Sequence, residues 1–126
     1  MQSKPVICVA DDDIDVREVI CAMLTRAGYR AVGAADGNQL LRDVERTKAA
    51  TVVLDIVMPD REGLSTIAEL KQRFPATRIL AISGGGASGL MCYLDIARKL
   101  GADDALSKPF SQDQLLAKID ALTIAA

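Results

Sequence analysis

The sequence predicts an α/β protein of the doubly wound class, with a five-stranded parallel sheet between two layers of helices. Short apolar runs without polar alternation mark three predicted strands, and two shorter or weaker strand signals accompany them; such apolar runs are typical of strands that are buried on both faces. Segments with apolar residues at helical spacing separate these runs. Five strand-helix repeats with right-handed crossovers predict the strand order 2-1-3-4-5.

Length and composition limit the classes of function. A chain of 126 residues, half of them apolar, is expected to form one soluble globular domain over residues 1–126. The net charge of -2 and the scattered lysines and arginines form no basic stripe, so we expect a protein partner and no nucleic acid. No apolar run approaches the roughly 20 residues of a membrane helix, and we therefore expect no membrane contact and a cytoplasmic location.

The histidine and cysteine content excludes further chemistry. The chain contains no histidine, which rules out histidine triads, histidine-ligated zinc and phosphohistidine formation within this chain. Its cysteines are Cys8, Cys21 and Cys92, which are widely spaced and form no CxxC pair. They are expected to be small buried apolar residues, with a zinc or redox site as the less favoured alternative.

The first half of the chain contains three predicted strands and two predicted helices. Strands are expected over residues 6–10, 30–34 and 51–55. Asp11, Asp12 and Asp13 follow the first strand; Asp13 is expected to cap the first helix and Gly28 to end it. Apolar stripes at helical spacing mark the first helix at Val16, Val19, Ile20, Met23, Leu24 and Ala27, and the second at Leu40, Leu41 and Val44.

The second half continues the alternation. Strands are expected over residues 78–82 and 104–107. The third helix should begin near residues 61–63 and end before Pro75, and the fourth should end at Gly101. Ser111 and Gln114 have the spacing of a capping box ahead of the last helix. The inward-facing residues of these helices are predicted to be Leu64, Ile67, Leu70, Phe74, Leu90, Leu94, Ala97, Leu115, Ile119 and Leu122.

The predicted topology brings distant polar residues to one edge of the sheet. Strands one and three are neighbours, so their carboxyl ends should place Asp11, Asp12 and Asp55 together. Ser83 and Lys108 end strands four and five on the same edge. We therefore expect three carboxylates, a hydroxyl and an ammonium to form one cluster.

Electrostatics limit what such a cluster can do. Two like charges 4 Å apart repel by about 1 kcal/mol in water and about 4 kcal/mol at an effective dielectric constant near 20. The carboxylates therefore need a cation, and oxygen ligands with room for water suit Mg²⁺. A divalent ion beside Asp55, Ser83 and Lys108 is typical of phosphoryl transfer, with Asp55 as the nucleophile. The alternative is that Asp55 caps a strand end and the other acids are solvated loop residues.

The motifs resemble those of response regulator receiver domains, and the resemblance covers nearly the whole chain. It rests on Val9-Ala10-Asp11-Asp12-Asp13, Leu54-Asp55-Ile56-Val57-Met58-Pro59, Gly63, Ala81-Ile82-Ser83, and Gly101-Ala102-Asp103-Asp104 with Lys108-Pro109-Phe110. It implies a CheY-like, flavodoxin-like domain of the stand-alone type in a two-component phosphorelay. The donor would be a histidine kinase or a histidine phosphotransfer protein.

The resemblance also implies roles for individual residues. Asp55 would accept the phosphoryl group. Asp12, Asp55 and the backbone carbonyl of Val57 would hold Mg²⁺, with Asp11 contributing through water. Ser83 would be the switch hydroxyl and Lys108 the partner of the phosphoryl group. The Lys108-Pro109 peptide bond is expected to be cis.

Two departures from the family pattern bear on signal output. Ala105 stands where these domains usually have an aromatic residue on the fifth strand, and alanine has no rotamer to switch. The segment between Ser83 and Lys108 is also a few residues longer than usual. We expect a downstream protein target to bind the surface formed by Met91, Tyr93 and Ile96 with the last helix.

Two other functional classes stay open. A Mg²⁺-dependent phosphohydrolase would also use a strand-end aspartate, but it commonly carries a second aspartate where this chain has Val57. A degenerate receiver that only binds a partner would have lost the acid pair or the lysine. The expected module turns over no external substrate and catalyses only its own phosphorylation and dephosphorylation.

Overall fold

The computed structural model describes residues 5–56, 62–84 and 95–125. Its five strands are β1 Val6–Ala10, β2 Arg30–Ala34, β3 Thr51–Asp55, β4 Arg78–Ser83 and β5 Asp104–Ser107. All neighbouring strands pair in parallel, in the order β2-β1-β3-β4-β5. The predicted fold class and strand order are confirmed.

Helices connect the strands. They are α1 Ile14–Arg26, α2 Gly37–Thr47, α3 Glu62–Arg73, the helical residues 95–100, which we label α4, and α5 Gln112–Ala125. The Asp13 carboxylate caps α1 by accepting hydrogen bonds from the backbone N–H groups of Asp15 and Val16. Ser111 and Gln114 form the predicted capping box at α5, each side chain accepting from the other's backbone N–H.

The sheet separates two apolar cores, because successive side chains of a strand point to opposite faces. Cys8, Val52 and Ile79 face a core with residues of α2, α3 and α4. Val9 and Val53 face a second core with residues of α1 and α5. Every residue of β3 is buried, as the unalternating apolar run predicted. No described helix is long and apolar enough to cross a bilayer.

The predicted apolar stripe of α1 is wrong at one position. Val16, Ile20, Met23 and Leu24 belong to the second core, but Val19 is 51% exposed. Helical spacing shows which side of a helix faces the core, but it does not show where the buried stripe ends. Val19 lies at the edge of this stripe. It lines a groove that Met23 shares with the segment after β5.

Gly63 allows α3 to lie against the end of β3. A Cβ atom at this position would stand 2.6 Å from the backbone oxygen of Asp55 and 2.6 Å from the Cα atom of Ile56. Both obstacles are backbone atoms, which cannot rotate away. The first turn of α3 therefore approaches the strand end that carries Asp55 more closely than any side chain would permit.

Asp104 connects three elements at the start of β5. Its carboxylate accepts hydrogen bonds from the Lys118 ammonium of α5 at 3.1 and 3.2 Å, and the Arg98 guanidinium of α4 lies 3.5 Å away. Burial raises the pKa of Asp104, but the backbone N–H of Ala105 and the two cations lower it more. The net pKa is below the ordinary value.

Replacement of Gly63 should destabilise the fold. Gly63→Ala gains helix propensity, but the backbone overlap costs more, and we expect a net loss of about 1–3 kcal/mol. Urea denaturation measures it, with Ser65→Ala at an exposed position of the same helix as the control. Equal unfolding midpoints for the two variants would contradict the close approach.

The stabilising effect of Asp104 should depend on pH. A lowered pKa in the folded state means that its contribution is fully present above the unfolded value of about 3.9 and is lost as the pH falls through the folded pKa. Asp104→Asn should therefore destabilise at pH 7 and cost progressively less below about pH 4. Urea unfolding at several pH values tests this, with the exposed Glu18→Gln as the control. A difference that is constant across pH would refute the assignment.

Candidate functional site

The site lies at the carboxyl edge of the sheet, where the strand register brings its residues together. Ala10 pairs with Leu54, and Asp11 follows directly, so the first acid lies beside the end of β3. Asp55 pairs with Ile82, and Ser83 pairs with Ser107. Four strands thus end at one edge, and each is followed or terminated by a polar residue of the predicted cluster.

The three acids form one group. Asp11, Asp12 and Asp55 each offer a carboxylate oxygen, and these oxygens lie within 4.8 Å of one another. Asp11 is fully buried, Asp55 is 5% exposed and Asp12 is exposed. The predicted convergence is therefore present, with Asp12 on the side that is open to solvent.

Lys108 lies between the two buried acids. Its Nζ atom is 2.8 Å from Oδ2 of Asp11 and 3.2 Å from Oδ2 of Asp55. Burial lowers the pKa of Lys108, but the hydrogen bond to Asp11 and the charge of Asp55 raise it more, so the net pKa stands above the usual value. The ammonium is held in its charged form and offsets part of the repulsion between the carboxylates.

Backbone contacts fix the segment that carries Lys108. The backbone N–H of Lys108 donates to the carbonyl of Ser83 at 2.8 Å, which extends the β4–β5 ladder by one bond. The Lys108-Pro109 peptide bond is cis, as expected. Gly84 packs against the stem of Lys108, where a Cβ atom would stand 3.2 Å from Cδ. The lysine therefore enters the site along a defined path.

Each polar atom of Asp11 forms a hydrogen bond or an ion pair. Its Oδ1 atom accepts from the backbone N–H of Asp13 at 2.9 Å, and its own N–H donates to the carbonyl of Ala34 at 3.3 Å. The carbonyl oxygen of Asp11 accepts from Nη1 of Arg17 at 2.8 Å. Sequence reasoning missed Arg17; the available signal was its position on α1, one turn past the cap residue Asp13.

Of the other predicted residues, the structure describes Ser83 and Ile96. Ser83 is fully buried at the end of β4, and its hydroxyl lies 3.4 Å from the carbonyl oxygen of Gly84. Val57, predicted to bind Mg²⁺ through its carbonyl, lies outside the described residues, as do Met91 and Tyr93 of the predicted partner surface. Ile96, the third residue of that surface, is 43% exposed.

The donor set fits a hard divalent cation. Three clustered carboxylates and one ammonium leave an excess of negative charge, and all the candidate ligand atoms are oxygens, which Mg²⁺ prefers. With no histidine in the chain and no cysteine in this group, the chemistry does not favour zinc or copper. The group therefore has the donor atoms and the excess negative charge that a Mg²⁺ site needs.

An apolar groove opens beside the site. Val16, Val19, Ile20 and Met23 of α1 line it, together with Asp15 and the segment Lys108 to Phe110. Its volume is about 340 Å³. Lys108 therefore contributes to both the groove and the acidic cluster.

Comparison with known proteins identifies relatives over most of the chain. A family model described as the response regulator receiver domain matches residues 7–120. The Transcriptional regulatory protein GltR of Pseudomonas aeruginosa is 34% identical over 118 residues, covering 92% of this chain and 48% of GltR. Response regulator RR06 of Streptococcus pneumoniae is 34% identical over 116 residues, covering 92% of this chain and 52% of RR06.

A solved structure supports the same relationship. The crystal structure of the receiver domain of NtrX from Brucella abortus superposes with a TM-score of 0.86 at 26% identity, covering 95% of this chain and 99% of that domain. These matches confirm the resemblance drawn from the motifs. The chain spans about half the length of the curated relatives it matches.

Since GltR is named as a transcriptional regulator, the expectation of no nucleic-acid partner rests on the charge pattern alone and stays a prediction.

Removal of the Lys108 ammonium should destabilise the protein. Lys108→Met keeps an apolar stem but leaves Asp11 and Asp55 facing each other without a cation, which should cost about 1–3 kcal/mol. Urea denaturation in the presence of EDTA measures the loss, and the exposed Lys99→Met is the matched control. Equal losses in both variants would show that the site ion pairs contribute nothing to stability.

Proposed function

The chain belongs to the response regulator receiver domains of two-component signalling, and from this premise we propose that it accepts a phosphoryl group on Asp55 in a Mg²⁺-dependent reaction. Receiver domains take phosphate from histidine kinases; a histidine phosphotransfer protein is the alternative donor. The observation that carries the proposal is the position of Lys108 between the carboxylates of Asp11 and Asp55.

The proposed reaction is a displacement at phosphorus. A carboxylate oxygen of Asp55 forms a bond to the phosphorus of a phosphohistidine on the donor. The P–N bond breaks, and its electron pair stays on the imidazole nitrogen of the donor. The product on this chain is an acyl phosphate, and no other co-reactant is required.

Charge stabilisation is the main contribution that the protein must make, because phosphoryl transfer involves little other covalent chemistry. The Lys108 ammonium already contacts Oδ2 of Asp55 and can stay with the phosphoryl oxygens once the acyl phosphate forms. Asp12 and Asp55, with Asp11 acting through water, would hold Mg²⁺, which would supply the positive charge that a single lysine does not. The carbonyl of Val57 would complete the protein ligands.

Ser83 is proposed to read the phosphorylated state. It terminates β4 next to the strand of Asp55, and within residues 5–56, 62–84 and 95–125 its hydroxyl contacts the Gly84 carbonyl at the long distance of 3.4 Å. The hydroxyl can therefore turn to donate to a phosphoryl oxygen. A complete shift of a two-state equilibrium, from 1:99 to 99:1, needs about 5.5 kcal/mol of differential interaction. A charge-assisted hydrogen bond from Ser83 and the ion pair with Lys108 would share that requirement.

The groove beside the site suggests how a donor protein reaches Asp55. A donor must bring a phosphohistidine against Asp55, and so its surface must lie close to Lys108. Val19 offers exposed apolar surface at this place. We propose that the donor packs on α1 and on the segment after β5 while the reaction occurs.

We propose that signal output uses the surface formed by α4, β5 and α5. Ala105 is buried and small, so no aromatic side chain on this strand can rotate. Arg98 and Lys118 instead tie α4 and α5 to Asp104. A displacement of α4 would change the surface around Ile96 and α5, which we propose as the binding face for a downstream protein.

The phosphorylation site can be tested directly. Asp55→Asn is nearly isosteric and should keep the fold while abolishing phosphoryl uptake from acetyl phosphate in the presence of Mg²⁺. Intact-protein mass spectrometry detects the acyl phosphate, with Asp113→Asn, an exposed aspartate of α5, as the control. Addition of EDTA should suppress labelling of the wild-type protein. Labelling that persists in Asp55→Asn would require a different acceptor.

A further inference from the structure

We propose that Arg17 is a positioning residue for the acid pair, an inference that rests on the proposed function of the site. Arg17 lies on α1, and its Nη1 atom donates to the backbone carbonyl of Asp11 at 2.8 Å. This contact is to the backbone and not to a carboxylate of the site. We infer that this hydrogen bond orients Asp11 and Asp12 toward Mg²⁺.

The geometry of the peptide bond explains how one hydrogen bond can act on both acids. The carbonyl of Asp11 and the N–H of Asp12 belong to the same planar unit. A hydrogen-bond donor that fixes the orientation of the Asp11 carbonyl therefore also fixes the orientation of the backbone N–Cα bond of Asp12. The side chain of Asp11 has its own anchors in Asp13 and Lys108. Asp12 is exposed, so its orientation depends more on the plane that Arg17 holds.

Gly33 provides the surface along which Arg17 reaches the turn. A Cβ atom at Gly33 would lie 3.2 Å from Cδ of Arg17 and 3.3 Å from Cγ. Gly33 pairs with Val9 of β1, one residue from the strand end. The aliphatic part of Arg17 thus packs against β2 at Gly33, which has no side chain. A larger residue at position 33 would displace the arginine without touching any acid of the site.

Removal of Arg17 should change the Mg²⁺ affinity in one direction if the arginine acts only through its charge, and in the other direction if it positions the ligands. A guanidinium near three carboxylates repels an incoming divalent cation, so its removal would strengthen Mg²⁺ binding if charge were its whole effect. If Arg17 positions the ligands, its removal weakens binding, because loss of a residue that orients metal ligands typically costs about 10–100-fold in affinity. The sign of the change separates the two.

The test is Mg²⁺ titration of the full chain by isothermal titration calorimetry. We expect Arg17→Ala to weaken Mg²⁺ binding about 10-fold and Gly33→Leu to reproduce that loss. Gly33→Ala should have a small effect, and Arg17→Lys should restore part of the affinity through its ammonium. Arg26→Ala is the matched control, since it removes an exposed arginine from the last turn of the same helix.

Acetyl phosphate labelling supplies a second readout. In Arg17→Ala the Mg²⁺ concentration for half-maximal labelling should rise about 10-fold, while the rate at saturating Mg²⁺ should change little. If Arg17→Ala fails to fold, Gly33→Leu and Arg17→Lys carry the test. Unchanged or tighter Mg²⁺ binding in Arg17→Ala, or in Gly33→Leu where Arg17→Ala does not fold, overturns the role of Arg17 alone. A wild-type chain that binds no Mg²⁺ and takes up no phosphate overturns the proposed function as well.

Discussion

The repulsion among three gathered carboxylates is the constraint on which the arrangement of the site depends. Asp11 and Asp55 are almost completely removed from water, and a buried charge is costly unless it is paired and hydrogen-bonded. Lys108 contacts both, and backbone groups around the turn after β1 and the end of β5 hold the partners in place. One ammonium cannot balance three carboxylates, and the remaining negative charge makes the cluster suitable for a divalent cation.

The backbone approaches closely wherever the site needs it. Gly63 lets α3 contact the peptide of Asp55, and Gly33 lets Arg17 reach the carbonyl of Asp11. Gly84 leaves room for the stem of Lys108. At all three positions a Cβ atom would meet a neighbour at 3.2 Å or less. The lack of a side chain at these glycines therefore leaves the space that α3, Arg17 and Lys108 occupy. Substitutions at these glycines are expected to act on the acids and the lysine indirectly, through the atoms they displace.

Ion pairs connect α4, β5 and α5. Ala105 fills its place in the core without a side chain that could change rotamer, and Asp104 beside it joins Arg98 and Lys118. Surface ion pairs are individually weak, typically below about 1 kcal/mol. A small cost for displacing α4 is compatible with the proposed switch, because a complete shift between two states already requires about 5.5 kcal/mol of differential interaction.

Local patterns in the sequence determined the five strands, the capping of α1 and α5, the strand order and the edge at which the acids meet. These follow from apolar periodicity, short-range hydrogen bonding and the handedness of crossovers, which are properties of neighbouring residues and of simple topology. Only the tertiary structure decided the burial of each acid, the contact of Lys108 with both Asp11 and Asp55, the exposure of Val19 and the path of Arg17 across Gly33. Those depend on distances between elements far apart in the chain, and residue spacing carries no information about how closely two packed surfaces approach.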